Sequence, residues 1–204
     1  MRKIWILMFT ACSLLAGPVV GSSANVLPQG KFMTEYHITL AEKGSTGRLE
    51  LYYGYLSRAT MRLRVYHTLY DSSFNFEITK YTIDTKINII PIPRFSCFIG
   101  ASLKEFAPFG GLLFSFVPAR IGIHLCAYGT DLIENPSFGA QASIEYRAFP
   151  GINLFLEGVY GYKEKRGKFE PWLSCQIKLP VTIEVAGLLD KDDPKLFAGG
   201  YIVW

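Results

Sequence analysis

The residues in this chain that could do chemistry are few and widely spaced. His37, His67 and His124 are the only histidines. A hydrolase needs a serine within hydrogen-bond reach of a histidine, with an acid or amide to orient the ring. If His124 and Ser143 lie opposite one another on paired strands, with Glu145 two residues on, that requirement is met. The competing reading is a chance pairing of two polar side chains, and no GxSxG, HExxH or P-loop pattern accompanies it. Cys97, Cys126 and Cys175 are far apart, with no CxxC or histidine-spaced pattern, so they read as small apolar residues. No metal or cofactor site is expected.

Charged residues form a second group. Arg62, Arg64 and Tyr66 alternate along one segment, and Lys86 and Arg94 follow within the next two. Glu145, Glu157 and Glu184 lie much later in the chain. If all eight residues face one enclosed space, they line it with a basic wall opposite an acidic wall. Such a field would orient small polar or anionic solutes, with Arg62, Arg64 and Tyr66 as a constriction. Neighbouring salt bridges that satisfy a polar interior are the plainer alternative.

Both arrangements require strands. Phe32, Thr34, Tyr36, Ile38 and Leu40 interleave with a more polar set, and Ile121, Ile123 and Leu125 alternate with Gly122, His124 and Cys126. Period-two alternation puts one set of side chains on each face of a strand. No comparable stretch keeps a 3.6-residue period.

Two kinds of punctuation take turns between these segments. Proline marks the tight kind, at Pro91, Pro93, Pro118, Pro150 and Pro180. Longer polar or glycine-rich stretches form the other, as at Lys104 to Gly110 and Thr130 to Pro136. From Pro118 to Pro150 is 32 residues, and from Pro150 to Pro180 is 30, room for one β-hairpin each. The expected strands fall near residues 31–42, 48–57, 60–70, 74–90, 94–103, 111–117, 120–129, 137–147, 152–162, 170–179, 181–190 and 195–204. Twelve is the expected number, ten if one hairpin is lost, and an even number brings both termini to one side. In the fourth segment the apolar phase switches between Ile78 and Tyr81, which predicts a bulge.

The start of the chain reads as a secretory leader over residues 1–24. Arg2 and Lys3 precede an apolar stretch from Ile4 to Ala16, and Ser22, Ser23 and Ala24 offer small residues for cleavage. A lipoprotein reading centred on Cys12 lacks the apolar length it needs. Losing Arg2 and Lys3 takes the basic residues from 21 to 19 against 17 acidic ones. That balance implies no nucleic-acid partner. Asn25 to Gly30 is too short to be expected to plug a lumen.

Alternation alone also suits a soluble barrel with its charges outward. Tyrosine and tryptophan near segment ends (Tyr36, Tyr53, Tyr146, Tyr160, Tyr162, Trp172 and Trp204) favour a membrane girdle instead. The last segment adds to this, with Tyr201, Ile202 and the terminal Trp204. Leader, alternation and aromatic final strand together resemble the bacterial outer-membrane β-barrel class. That resemblance implies an all-β, antiparallel, up-and-down transmembrane barrel over residues 25–204, in the cell outer membrane. It also implies contact with outer-membrane lipid and with the barrel-assembly machinery. Short loops argue against an adhesin. The function expected is a narrow porin-like channel for small polar solutes. The alternatives are a lipid-modifying hydrolase built on His124, and a structural or export-associated barrel without transport of its own. Oligomeric state is left open.

Overall fold

The structure is a computed structural model describing residues 24–41, 44–69, 76–163, 166–190 and 192–204. The expected leader, apart from Ala24, lies outside them. The described chain forms twelve antiparallel strands: β1 (Phe32–Ala41), β2 (Gly44–Leu56), β3 (Ala59–Leu69), β4 (Phe76–Pro91), β5 (Arg94–Ser102), β6 (Pro108–Phe116), β7 (Ile121–Thr130), β8 (Ser137–Phe149), β9 (Ile152–Lys163), β10 (Arg166–Lys178), β11 (Thr182–Leu188) and β12 (Lys195–Val203). Each pairs with its sequence neighbours, and β1 closes on β12 with Met33 opposite Val203. Closure leaves no edge strand, so every backbone donor and acceptor in the wall can pair within the wall. All twelve expected strands are present.

Connections at one end are tight, as at Pro150-Gly151, where Gly151 takes φ +84°. Proline pre-sets the first central residue of such a turn, and glycine accepts a positive φ at the second. Those at the other end run up to six residues, as between β7 and β8. The phase switch in β4 is a true irregularity: Tyr66 pairs with Lys80 and His67 with Ile78, so Thr79 is the extra residue.

The pleat sends one set of residues outward and the other into the lumen. Ile121, Ile123, Leu125, Ile144, Leu154, Leu156, Leu173 and Ile183 are exposed on the outside. Glu50, Arg62, Asp84, Glu145, Glu157 and Glu184 are buried inside. A soluble barrel would have these faces exchanged. An outer surface of this composition belongs in hydrocarbon, where exposed isoleucine and leucine cost nothing and an outward charge would be expensive. Aromatic rings ring the belt, with Phe32 stacked on Tyr53 at 4.5 Å and Trp204 exposed at the turn end. Trp172 is an exception to the expected girdle. It shares a face with Ser174 and Gln176, so it points inward and packs with Phe155, Leu188 and Phe197.

His67 faces outward beneath Tyr36, whose hydroxyl lies 3.1 Å from its Nε2. Its ring covers Gly47, where any side chain would collide with it. Cys97 and Cys175 lie on outward positions of β5 and β10, and Cys126 is buried beside Leu113.

Candidate functional site: the barrel lumen

Arg62, Arg64 and Tyr66 are consecutive inward residues of β3, the strand's period having placed all three on one face. Arg62 Nε lies 3.0 Å from Asp84 Oδ2, and Arg64 Nη2 lies 2.6 Å from the same oxygen. Glu50 Oε2, on the other side, is 3.5 Å from Arg62 and 3.6 Å from Arg64. Arg48 Nε meets Glu50 Oε1 at 2.6 Å. The Tyr52 hydroxyl lies 2.7 Å from both Glu50 Oε2 and Glu35 Oε2, with one proton to share between them, and Arg64 donates to the Tyr66 hydroxyl at 3.1 Å. The arginines therefore find their counter-charges on the adjoining strands β2 and β4. For Arg62 and Arg64 the contacts are those of the plainer alternative, neighbouring salt bridges within the lumen.

The arginines also reach aromatic faces. Arg64 lies 5.6 Å from the centre of the Phe109 ring on β6, and Arg62 lies 5.7 Å from that of Tyr52. Cation–π contacts of this kind add of order 1 kcal/mol each. Glu50, Asp84 and Phe109 are buried around them, so the two guanidinium groups lie among lumen side chains.

Glu184, on β11, accepts from His37 Nε2 at 2.7 Å and from Gln176 at 2.7 Å. Glu35 Oε1 lies 3.2 Å from the same His37 nitrogen. Among the described residues, this trio is the group whose ligand atoms converge enough to hold a cation. Its hydrogen bonds argue against that use. Arg48 Nη2 donates to His37 Nδ1 at 3.2 Å, and an arginine can only donate. The proton therefore sits on Nε2, the nitrogen a metal would need, and is given to the carboxylates. The trio satisfies itself.

Glu145 accepts from His124 Nε2 at 3.0 Å and from Arg147 Nε at 2.9 Å. His124 Nδ1 lies 2.9 Å from Ser115 Oγ on β6. Ser143 is directly opposite His124 in register, yet its hydroxyl has no hydrogen-bond partner among the described residues. Ser115 therefore takes the place expected for Ser143. Serine, histidine and glutamate stand in a hydrolase-like order, but Ser115 is 2% exposed and His124 1%. The hydroxyl accepts a hydrogen bond from the backbone N–H of Ala24 at 3.0 Å. A substrate carbonyl has no path to it in this conformation. Glu157 accepts from Ser174.

Lys86 and Arg94 meet a segment that the sequence did not mark as part of the lumen. Residues 24–30 turn back into the barrel, with Ala24 fully buried and Leu27 2% exposed. Lys86 Nζ donates to the Asn25 carbonyl at 2.9 Å, and Arg94 Nη1 to the Asn25 side-chain oxygen at 2.6 Å. Residues 25–27 thus enter the lumen despite the shortness of the segment, while residues 28–30 stay exposed at its mouth. The available signal was Pro28-Gln29-Gly30, a turn sequence placed immediately before the first strand. All eight charged or phenolic residues singled out in the sequence point inward, and Arg48 links the Arg62, Arg64 and Tyr66 network to that of Glu184 by meeting both Glu50 and His37.

No family model matches the chain, and no curated protein is similar to it. Solved structures are. The chain is similar to the KdgM porin at 11% identity and a TM-score of 0.64, over 83% of this chain and 98% of that one. KdgM is also known in complex with disordered oligogalacturonate. A second similar structure is the COG4313 outer membrane channel from Pseudomonas putida F1, at 10% identity and a TM-score of 0.63, over 92% of this chain and 100% of that one. The Omp33 outer membrane protein of Acinetobacter baumannii follows at 9% identity and 0.52, over 86% and 99%. The fold is theirs. It is a closed antiparallel β-barrel, of twelve strands in this chain, reached here through a sequence with almost no residue-level likeness.

Proposed function

We propose that this chain is an outer-membrane channel of narrow bore for small polar solutes. The observation that carries the reading is the exchange of faces: an apolar wall outside, and a lumen in which Glu50, Arg62, Asp84, Glu145, Glu157 and Glu184 are buried beside an apolar cluster around Phe155 and Trp172. A barrel needing only stability would fill its interior with apolar side chains, since buried ion pairs add little stability over well-packed hydrophobic ones. A polar interior is the lining that a hydrated solute can exchange for its water. The twelve-stranded fold shared with KdgM and the COG4313 channel supports the same reading. Twelve strands lie between the eight-stranded barrels that side chains fill and the large open porins.

The arginines set the character of the pore. Arg62 and Arg64 project into the lumen as far as Tyr52 and Phe109, so conductance steps from the parent chain will be small. Single-channel recording of the purified protein in planar bilayers tests this, with reversal potentials under a salt gradient. Replacing Arg62 and Arg64 by alanine enlarges the steps and shifts the ion preference toward cations. Silence from the parent and from every lumen variant overturns the channel.

A further inference from the structure

The segment Asn25–Gly30, which begins the chain once the expected leader is removed, runs as an extended strap from the lumen to β1, with Asn25 and Leu27 buried. Two of its backbone N–H groups donate to the wall, Leu27 to Thr60 Oγ1 at 2.7 Å and Gly30 to the Gly54 carbonyl at 2.7 Å. Two wall groups donate to it, Lys86 to the Asn25 carbonyl at 2.9 Å and Arg94 to the Asn25 side-chain oxygen at 2.6 Å. Four strands, β2 to β5, thereby contribute contacts to a single short peptide once the Gly54 contact is included.

That last contact is a matter of room. Gly54 of β2 points inward, and a Cβ there would collide with the carbonyl oxygens of Pro28 and Leu27. The strap passes only because this residue is glycine. Pro28 O then accepts from Lys31 N at 3.1 Å, and Gly30 takes φ +76°, the geometry of a turn that returns the chain to β1. Gly30 N donates to Gly54 O at 2.7 Å, fastening the turn to the wall.

We infer that this seat is a binding site for the chain's own Asn25–Gly30 strap, and that the strap is a gate at the turn end of the pore. Its chemistry indicates what else it would hold. Lys86 and Arg94 converge on oxygen acceptors, here a backbone carbonyl and an amide side chain. With the strap withdrawn, the same donors are presented to a carboxylate or hydroxyl group of an entering solute. Solute and strap compete for one set of donors. The gate rests on the channel reading, whereas the seat does not.

The substitutions Asn25→Lys with Leu27→Lys place cations against Lys86 and Arg94 while leaving the wall untouched. Gly54→Val evicts the strap by bulk without altering any charge. Each is made in the full chain and recorded in planar bilayers. Each also carries a spin label on a cysteine at the exposed position 29, with Cys12, Cys97, Cys126 and Cys175 changed to serine. The expected result is a several-fold larger conductance in both variants, and a label that is immobile in the parent and mobile in both. A conducting parent whose steps are unchanged in both variants overturns the gate. A label equally mobile in parent and variants overturns the seat. If the parent, the variants and the Arg62→Ala with Arg64→Ala chain are all silent, the channel reading falls and the seat is decided by the label.

Discussion

Asp84 shows what a single residue does in this lumen. Its carboxylate has a fully buried side chain and holds both Arg62 and Arg64. Removing one partner of a buried pair leaves the other charge without compensation, at about 3–5 kcal/mol. Here two guanidinium groups share Asp84, although Glu50 still faces them at 3.5 and 3.6 Å. Asp84→Ala should therefore fall in that range, and Asp84→Asn, which keeps an oxygen acceptor, should cost less. Equilibrium unfolding of the barrel in denaturant checks both. A loss under about 1 kcal/mol for Asp84→Ala would show that Glu50 alone can neutralise the pair, an exposed-pair magnitude. Which face Asp84 occupies was legible from the alternation of β4. Its partners were not, because period fixes a face whereas register and rotamer fix a contact. His124 makes the same point. Ser115 and Ser143 are both directly opposite it in register, and the ring turns to Ser115 and Glu145.

At the scale of elements, strands and turns were written locally and read well. A strand declares itself in four or five residues, and a hairpin in one proline or glycine. The strap did not, because its structure comes from contacts far along the chain, such as Asn25 with Lys86. Its own residues carry only a turn signal. The loop between β11 and β12 is held in a comparable non-local way. Asp193 Oδ2 lies 2.9 Å from Lys168 Nζ and 3.1 Å from that of Lys195. Hydrogen bonds from Lys168 and then Lys195 lower the Asp193 carboxyl below its ordinary value of 3.8. A depressed folded value means the tether is present above that ordinary value and is lost as pH falls through the folded one. Hydrogen exchange at residues 192–195 should therefore be unchanged from neutrality down to about pH 4, and should quicken only in stronger acid, intrinsic rates being allowed for. The effect is local, since an exposed pair contributes little to global stability. Quickening already at pH 6 would mean that the lysines do not hold the loop.

The whole molecule is governed by which solvent each face meets. Charge on the outer wall should be penalised according to depth, which no soluble barrel would show. Ile144 is exposed on β8, with Leu156 and Ile123 opposite it on the neighbouring strands. That places it well inside the apolar belt, between Tyr146 towards the turn end and Phe138 towards the loop end. Arginine at the bilayer midplane costs about 2–4 kcal/mol, and near an interface about 0–1. Ile144→Arg should therefore destabilise the barrel in lipid vesicles several times more than Phe149→Arg, beside the tight turn at Pro150-Gly151. In a water-facing wall both substitutions would be near neutral, since an exposed isoleucine gains nothing from staying apolar. Equal and small losses at the two positions would return the outer face to water, and the channel would go with it. A graded loss fixes the membrane normal along β8. It also makes the charged lumen the remaining polar path across the wall.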